Sequence, residues 1–170
     1  MSLPLKYNVL IITLSDRAFR GEYEDLSGPA IRDRLSGFFT ERKCEAVIKM
    51  QLVPDDRAIL QDMVRDASKT MHLIFTTGGT GIGPRDITIE AVKPLLSKEI
   101  PGIMELIRVK YGTENPFALL GRGVAGITGN SLIFTLPGSL KAVNEYLNDI
   151  LKILEHAIAM MYGADSHARH

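Results

Sequence analysis

The sequence predicts an α/β fold, a three-layer sandwich in which a mostly parallel, mixed sheet lies between two layers of helices. The first strand is the clearest indication, because residues 7–15 form an unalternating apolar run rich in β-branched side chains. Such a run is typical of a strand buried on both faces of a parallel sheet. Strand-like and helical segments then alternate through the first half of the chain, which predicts right-handed crossovers that cover both faces.

Turn and capping residues divide the first half of the chain into elements. Gly28-Pro29 opens a helix, since proline is tolerated in a first helical turn. Pro54-Asp55-Asp56 ends the second strand, and Asp55 is placed to cap the helix that follows. After a lead at 1–6 and the first strand, the predicted elements are a loop at 16–27, a helix at 28–39, a strand at 46–53, a helix ending near Ser68, a strand at 72–77, and a helix that begins at Asp86 or Thr88 and is limited by Pro94 or Ser97.

The second half of the chain is less regular. Two short β runs separated by Thr128-Gly129-Asn130 predict a hairpin, and apolar residues at helical spacing predict a long amphipathic helix. The predicted elements are helices at 103–111 and 117–120, strands at 123–127 and 131–136, the amphipathic helix at 139–161, and a frayed polar tail at 166–170. We find no repeat or linker, so residues 1–170 are predicted to form a single domain.

Composition narrows the classes of function. The chain has 170 residues, with 20 basic and 20 acidic side chains, 45% hydrophobic residues and one cysteine. The balanced charge argues against a nucleic-acid partner, and the apolar runs are too short to cross a membrane. The single cysteine, Cys44, cannot form an internal disulfide, which favours a cytoplasmic location. A phosphate-bearing small molecule remains a possible partner, because backbone amides can bind phosphate.

A glycine-rich turn is the strongest local signal. Residues 76–86 read Thr-Thr-Gly-Gly-Thr-Gly-Ile-Gly-Pro-Arg-Asp and follow the third predicted strand. Four glycines let a ligand approach the backbone, and open α/β sheets bind ligands at this edge. The turn lacks the Gly-Lys-Ser/Thr ending of a P-loop and the third glycine of the dinucleotide fingerprint. A turn that only reverses the chain is the alternative.

Two aspartates, Asp55 and Asp86, follow neighbouring predicted strands. Each could be an ordinary helix cap. A carboxylate beside a phosphate site would be repelled by it, however, unless a divalent cation lies between them. Mg²⁺ binds carboxylate and phosphate oxygens together, so the pair is also a candidate metal site.

Two further turns are predicted to end at the same edge of the sheet. Ser15-Asp16-Arg17 ends the first strand, and could equally be a turn with a solvated Asp–Arg pair. Leu136-Pro137-Gly138-Ser139 precedes the long helix, where Ser139 is a cap and the helix amino terminus could hold an anion. The segment 121–126, Gly-Arg-Gly-Val-Ala-Gly, matches the dinucleotide pattern in letters, but a strand follows it where the motif needs a helix.

Several ordered blocks of the chain together resemble the molybdenum-cofactor biosynthesis proteins of the Mog and MoaB type, a family that includes the G domains of gephyrin and its plant counterpart. The blocks are Leu14-Ser-Asp-Arg17, Val53-Pro-Asp55, Thr77-Gly-Gly-Thr-Gly81, Pro84-Arg-Asp-Ile-Thr88, Glu99-Ile-Pro-Gly102, Pro116-Phe-Ala-Leu-Leu120, Gly126-Ile127 and Leu136-Pro-Gly138. Two positions depart from the family. Leu140 replaces a common proline, and Gly121 stands where some relatives have serine.

The resemblance implies the family's fold and an enzyme that transfers AMP from MgATP to the terminal phosphate of molybdopterin, releasing pyrophosphate. It places Asp55 and Asp86 at the catalytic Mg²⁺. It also implies a homotrimer and hand-over of the product to the molybdenum insertase. The expected substrate and nucleotide contacts are Ser15, Asp16, Thr77, Gly78, Gly79, Thr80, Gly81, Pro137, Gly138 and Ser139.

Two other roles remain open within the same family. The chain could be a non-catalytic molybdopterin carrier or an oligomeric scaffold, as the gephyrin relative suggests. It could also be a MoaB-type member with a different role. Retention of both aspartates favours the enzyme, since a scaffold needs neither. The long helix and the pair Phe38-Phe39 are candidates for the trimer interface.

Overall fold

The computed structural model describes residue 4 and residues 6–164, and contains a six-stranded mixed sheet in the order β2-β1-β3-β6-β5-β4. The strands are β1 (Lys6–Leu14), β2 (Glu45–Val53), β3 (Leu73–Thr77), β4 (Lys98–Glu99), β5 (Ala125–Thr128) and β6 (Ser131–Leu136). Neighbours among β2, β1, β3 and β6 are parallel, and β5 pairs antiparallel with both β6 and β4. The predicted fold class is therefore confirmed.

Helices cover both faces of the sheet. They are α1 (Asp16–Phe19), α2 (Ser27–Glu41), α3 (Arg57–Ala67), α4 (Thr88–Val92), α5 (Pro101–Gly112) and α6 (Leu140–Met161), with 3₁₀ helices at Lys93–Leu95 and Pro116–Leu120. None of the helices within the described residues is long and apolar enough to cross a membrane.

Alternate side chains of the strands form two separate cores. On one face Phe75 and Phe134 stack with their ring centroids 5.1 Å apart, and pack among side chains of α2, α5 and α6. On the other face Ile12 and Ile74 pack against α3 and α4. A fully buried side chain of this size contributes about 1.5–3 kcal/mol, so burial on both sides holds the parallel strands together.

The register of the parallel strands brings their carboxyl ends to one edge. Leu14 lies opposite Val53, and Thr77 lies opposite both Thr13 and Leu136. The Gly78 N–H extends this pairing by donating to the Leu136 carbonyl at 3.1 Å. The segments after β1, β2, β3 and β6 therefore meet at one edge of the sheet, as the sequence predicts for parallel strands.

Three short elements differ from the sequence-based expectations. The predicted loop at 16–27 begins with α1, because the Ser15 hydroxyl accepts from the Ala18 N–H at 3.1 Å and caps a helical turn. Strand β4 was not predicted, since two charged residues carry no hydrophobic pattern. The helix predicted at 117–120 is a 3₁₀ helix. The polar tail at 166–170 and residues 1–3 and 5 of the lead lie outside the described residues.

The caps also correct one prediction. Asp56, rather than Asp55, caps α3, since its carboxylate accepts from the Ala58 and Ile59 N–H groups at 2.8 and 3.0 Å. The cap moves by one residue because Asp55 is engaged by Asp16 instead. Ser139 caps α6 as predicted, accepting from the Ala142 N–H at 3.3 Å.

A half-buried histidine, His72, makes stability depend on pH. Its Nδ1 accepts from the Asn8 N–H at 2.8 Å, which requires the neutral ring, and burial lowers the pKa of His72 below its usual value. As the pH falls below about 6.5, His72 therefore takes up a proton in the unfolded chain before it does so in the folded protein. The free energy of unfolding declines between that pH and the lower pKa that His72 has in the folded protein. We expect the free energy of unfolding, measured by urea titration, to be lower at pH 5.5 than at pH 7.5.

The variant His72→Asn keeps an acceptor for the Asn8 N–H but does not titrate, so it should show a smaller difference between the two pH values. His156→Asn, at an exposed position on α6, is the matched control and should behave like the wild type. An unchanged pH difference in His72→Asn would contradict the assignment.

Candidate functional site: a cleft at the carboxyl ends of the parallel strands

A cleft of about 460 Å³, here called the main cleft, opens where the parallel strands end. Six of the residues predicted from sequence line it, from the segments after β1, β2, β3 and β6: Ser15, Asp55, Gly78, Gly79, Asp86 and Gly138. Tyr23 and Arg85 also line the main cleft. The fold thus brings both candidate catalytic aspartates to one opening.

A smaller pocket of about 190 Å³, here called the side pocket, adjoins the main cleft. The two share Leu14, Ser15, Tyr23 and Gly138. Its lining combines the apolar side chains of Leu26 and Leu140 with the acidic residues Glu24 and Asp25. Thr77 also lines it, with its hydroxyl donating to the Pro137 carbonyl at 2.7 Å.

The remaining predicted residues, Asp16, Thr80, Gly81, Pro137 and Ser139, line neither cavity. Thr80 is buried, and Ser139 caps α6 next to Gly138. Asp16 and Asp55 hold each other: the Asp55 N–H donates to Asp16 Oδ1 at 3.0 Å, and the Asp16 N–H donates to Asp55 Oδ2 at 3.1 Å. This exchange fixes the Asp55 carboxylate relative to the end of β1.

The glycine turn requires glycine at its first two positions. Gly78 and Gly79 have φ of +98° and +63°, a region that side chains disfavour. A Cβ on Gly78 would collide with the Leu14 carbonyl, and one on Gly79 would lie 2.6 Å from Thr88 Oγ1. Among the described residues, no protein acceptor binds the backbone N–H groups of Gly79, Thr80 and Gly81. Of these three residues, Gly79 lines the main cleft.

Asp86 belongs to the turn rather than to the helix after it. Its Oδ2 accepts from the Gly83 N–H at 2.7 Å, and a Cβ on Gly81 would lie 2.8 Å from the same oxygen. The flanking residue of α4 is Ile87, which makes no side-chain cap. The alternative interpretations of Asp55 and Asp86 as helix caps are therefore wrong.

Cationic groups lie on both sides of the turn. Arg85 lines the main cleft and pairs with Asp16 Oδ2 at 3.1 Å, so Asp16 pairs with an arginine of the glycine-rich turn and not with its neighbour Arg17 as expected. Behind the turn, hydrogen bonding to Arg122 lowers the pKa of the Glu90 carboxyl.

Sequence reasoning missed three residues near the site: Tyr23, Arg85 and Arg122. Arg85 stands inside the glycine-rich motif, where it could have been singled out as a phosphate-binding cation. Arg122 stands in the segment 121–126, which matches the dinucleotide pattern only in letters, and no motif in the sequence includes Tyr23. The Tyr23 hydroxyl lies 2.6 Å from Ser15 Oγ, so the loop before α2 is tied to the end of β1.

No group of three or more metal-ligating side chains occurs in the part of the chain that the structure describes. A cation in the main cleft would therefore need oxygens from a ligand as well as from Asp55 and Asp86. Glycine-turn donors, two carboxylates and one cationic side chain are suited to a phosphate ester with a divalent cation. Fold and cleft together define a class, the α/β proteins with a crevice at the carboxyl ends of the strands, where such folds bind ligands.

The comparisons with known proteins identify the family within that class. The profile described as "Probable molybdopterin binding domain" matches residues 10–156, and the chain belongs to this molybdenum-cofactor biosynthesis family. The molybdopterin adenylyltransferase of Pyrococcus furiosus is 38% identical over 164 residues, covering 91% of this chain and 93% of that protein. The crystal structure of the molybdopterin biosynthesis enzyme MoaB of Thermus thermophilus is similar with a TM-score of 0.82 and 41% identity, covering 92% of this chain and 97% of that one.

Some relatives are much longer proteins. The molybdenum cofactor synthesis protein cinnamon of Drosophila melanogaster is 37% identical over 153 residues, which cover 89% of this chain and 25% of that protein. The chain therefore spans about a quarter of the length of that relative.

The turn geometry predicts the effect of one added methyl group. We expect Gly79→Ala to lower the free energy of unfolding by about 1–3 kcal/mol, because alanine is strained at positive φ and its Cβ would displace the Thr88 hydroxyl. Urea titration measures the loss. Gly37→Ala is the matched control: it lies in α2 with nothing within 4 Å of an added Cβ, and should gain about 0.5–1 kcal/mol. Equal stability of the two variants would contradict the strained turn.

Proposed function

We propose that the protein is a molybdopterin adenylyltransferase, which transfers AMP from MgATP to the terminal phosphate of molybdopterin and releases pyrophosphate. The observation that carries the proposal is the meeting of Asp55, Asp86 and the glycine turn in the main cleft. The adenylyltransferase name of the Pyrococcus relative, which matches over nearly its whole length, supports the same activity.

The two aspartates fit Mg²⁺. Among the described residues, Asp55 Oδ1 and Asp86 Oδ1 accept no hydrogen bond from protein, while the Oδ2 atoms are held by backbone N–H groups. Mg²⁺ is commonly bound by one or two carboxylates together with substrate phosphates and water, so two oriented carboxylates suffice. Bound there, the cation would neutralise charge on the triphosphate.

The chain's own residues provide the rest of the chemistry. The attacking group is a phosphate oxygen that is already anionic near neutral pH, so no strong general base is needed. The free N–H groups of the glycine turn and the Arg85 guanidinium can bind phosphate oxygens and stabilise charge on the leaving pyrophosphate. The capped amino terminus of α6, next to Gly138, adds favourable potential for an anion.

Two joined pockets suit a reaction that joins two molecules. The main cleft carries Asp55, Asp86 and Arg85, whereas the side pocket is lined by Leu26 and Leu140 together with Glu24 and Asp25. The boundary consists of the residues that line both cavities, Leu14, Ser15, Tyr23 and Gly138. Substrates bound on both sides of that boundary would be held close together, which accelerates a bimolecular step. The leucine at position 140 therefore supplies a wall where the family commonly has proline.

The direct test is incubation of the purified protein with molybdopterin, ATP and Mg²⁺, followed by mass spectrometry. We expect an AMP-bearing pterin that does not form when Mg²⁺ is chelated. Asp86→Asn should lower turnover about 100-fold or more while the protein stays folded, because asparagine can still accept from the Gly83 N–H but loses the charge.

Asp62→Asn is the matched control, since Asp62 is an exposed residue of α3 whose carboxylate contacts Arg65. It should keep wild-type turnover. Wild-type turnover in Asp86→Asn would remove the proposed metal role. Binding of molybdopterin without modification would favour the second candidate, a carrier or scaffold.

We also propose a homotrimer that acts in the cytoplasm and passes its product to the molybdenum insertase. An exposed apolar surface on α5 and the following 3₁₀ helix supports an oligomer; it consists of Leu106, Val109, Phe117, Leu119 and Leu120 and is here called the α5 surface. A contiguous apolar patch of this kind is typical of a protein–protein interface. Phe38 and Phe39, which the sequence suggests for the trimer interface, are buried in the core, where Phe39 stacks on Tyr7. The apolar side chains of α6, the other candidate, pack in the same core.

A charge within the α5 surface should separate the subunits. We expect Val109→Glu, at a side chain 63% exposed, to convert the trimer to monomers without unfolding it. Light scattering coupled to gel filtration measures the mass. Met160→Glu on α6, at a side chain 67% exposed, is the control and should leave the trimer intact. A trimer that survives Val109→Glu would place the interface elsewhere.

A further inference from the structure

Arg122 lines neither cavity, but its backbone and its side chain both donate hydrogen bonds to carbonyl groups of the glycine turn. Its backbone N–H donates to the Thr80 carbonyl at 2.9 Å, and its Nε donates to the Gly81 carbonyl at 2.6 Å. Its Nη2 donates to the Asp86 carbonyl at 3.0 Å. One residue therefore holds both the beginning and the end of the segment that carries Asp86.

Glu90, a residue of α4, binds the guanidinium of Arg122. Both of its terminal nitrogens donate to the Glu90 carboxylate, in a two-point pair. A guanidinium can make these bonds together because its donors lie in one rigid plane, whereas a lysine ammonium is a point charge on a flexible stem. Arg122 thus joins the glycine turn to the first turn of the helix that follows it.

The backbone that carries Arg122 is anchored to the sheet. A Cβ on Gly123 would lie 2.7 Å from the Thr135 carbonyl, so this segment lies flat against β6. The Val124 N–H donates to Thr135 Oγ1 at 2.7 Å, and Arg108 donates to the Gly123 carbonyl at 3.2 Å. The contacts of Arg122 therefore tie the turn to a buried central strand.

The glycine turn needs such support. Glycine has more conformational freedom than any other residue, and the segment 79–83 makes few backbone hydrogen bonds of its own. Within the described residues, Arg122 lines neither the main cleft nor the side pocket. It acts on the cleft through the turn and has no direct contact with the space where substrates would bind.

We propose that Arg122 is a positioning residue for this site: it holds the glycine turn in the one conformation that orients Asp86 and presents the turn's free N–H groups to phosphate. Only the kinetic part of its test rests on the proposed adenylyl transfer. The structural part stands without it.

The matched control is Arg42. Its side chain is 34% exposed, against 36% for Arg122, and it also joins a carboxylate to a backbone carbonyl, those of Glu155 and Phe38. These contacts lie between α2 and α6, away from the main cleft. Arg42→Ala therefore removes the same kind of interaction without touching the turn.

The structural part is hydrogen exchange of individual amides. In Arg122→Ala we expect the Gly83 and Thr88 N–H groups, which are bonded within the turn, to exchange at least about 10-fold faster, while those of β3 keep their wild-type rates. Arg42→Ala should leave both sets unchanged. Equal acceleration of the turn and of β3, or no acceleration at all, would overturn the proposal, because either result assigns Arg122 no local effect.

The kinetic part measures AMP transfer. A misplaced turn should lower kcat on the order of 100-fold in Arg122→Ala, with a much smaller change in KM for ATP, and added guanidinium ion should restore part of kcat. Arg122→Lys, which can replace one of the donors, should lie between wild type and alanine, and serves in both parts if the alanine variant does not fold. A kcat within threefold of wild type in Arg122→Ala would overturn the proposal.

The two proposals fail in different ways. If the wild-type protein transfers no AMP, the proposed function is wrong, and hydrogen exchange still decides whether Arg122 holds the turn. If the wild type is active and Arg122→Ala keeps its kcat, the positioning role is wrong and the adenylyltransferase stands.

Discussion

The parallel pairing of β1 with β2 and β3 is the constraint on which the rest of the structure depends. It places Leu14 opposite Val53 and Thr13 opposite Thr77, and β3 in turn places Thr77 opposite Leu136. The segments that follow β1, β2, β3 and β6 are far apart in the chain, but they therefore begin at the same edge of the sheet. A slip of one residue would exchange the two faces of a strand and would disrupt the close packing of both cores. The same packing that stabilises the sheet thus determines where the site lies.

The turn after β3 is held more closely than the other strand ends. Gly78 lies so near the Leu14 carbonyl that a side chain would not fit, and the Thr88 hydroxyl donates to the Gly78 carbonyl at 2.8 Å. This close approach moves the turn toward the end of β1 and leaves Asp86 folded back over Gly81 and Gly83. Gly78 and Gly79 thus allow the positive φ angles that the turn needs. Hydrogen bonds from Thr88 and Arg122 then hold the turn in that conformation.

The charges of the cleft are arranged for anions and a cation together. Asp55 and Asp86 would repel a phosphate in isolation, and each has one oxygen held by a backbone N–H and one without a protein donor among the described residues. Arg85 is held nearby by Asp16, where it can also bind phosphate. This arrangement fits the proposed reaction, in which two polyanions must approach and a pyrophosphate must leave, because fixed dipoles and a divalent cation can neutralise charge without a general base.

The sequence by itself determined the α/β fold class, the order of the main strands and helices, and the residue types of the site. The apolar run at 7–15 and the glycine-rich motif at 76–86 are local patterns, and co-terminal parallel strands place whatever follows them at one edge. Tertiary structure alone decided the short elements and the long-range contacts. The α1 turn and the two-residue β4 are too short to show a period, and Asp55 and Asp56 are equivalent as caps until Asp16 engages the first of them. The contacts of Tyr23 and Arg122 depend on how distant segments pack, since a single arginine or tyrosine carries no sequence pattern that names its partner.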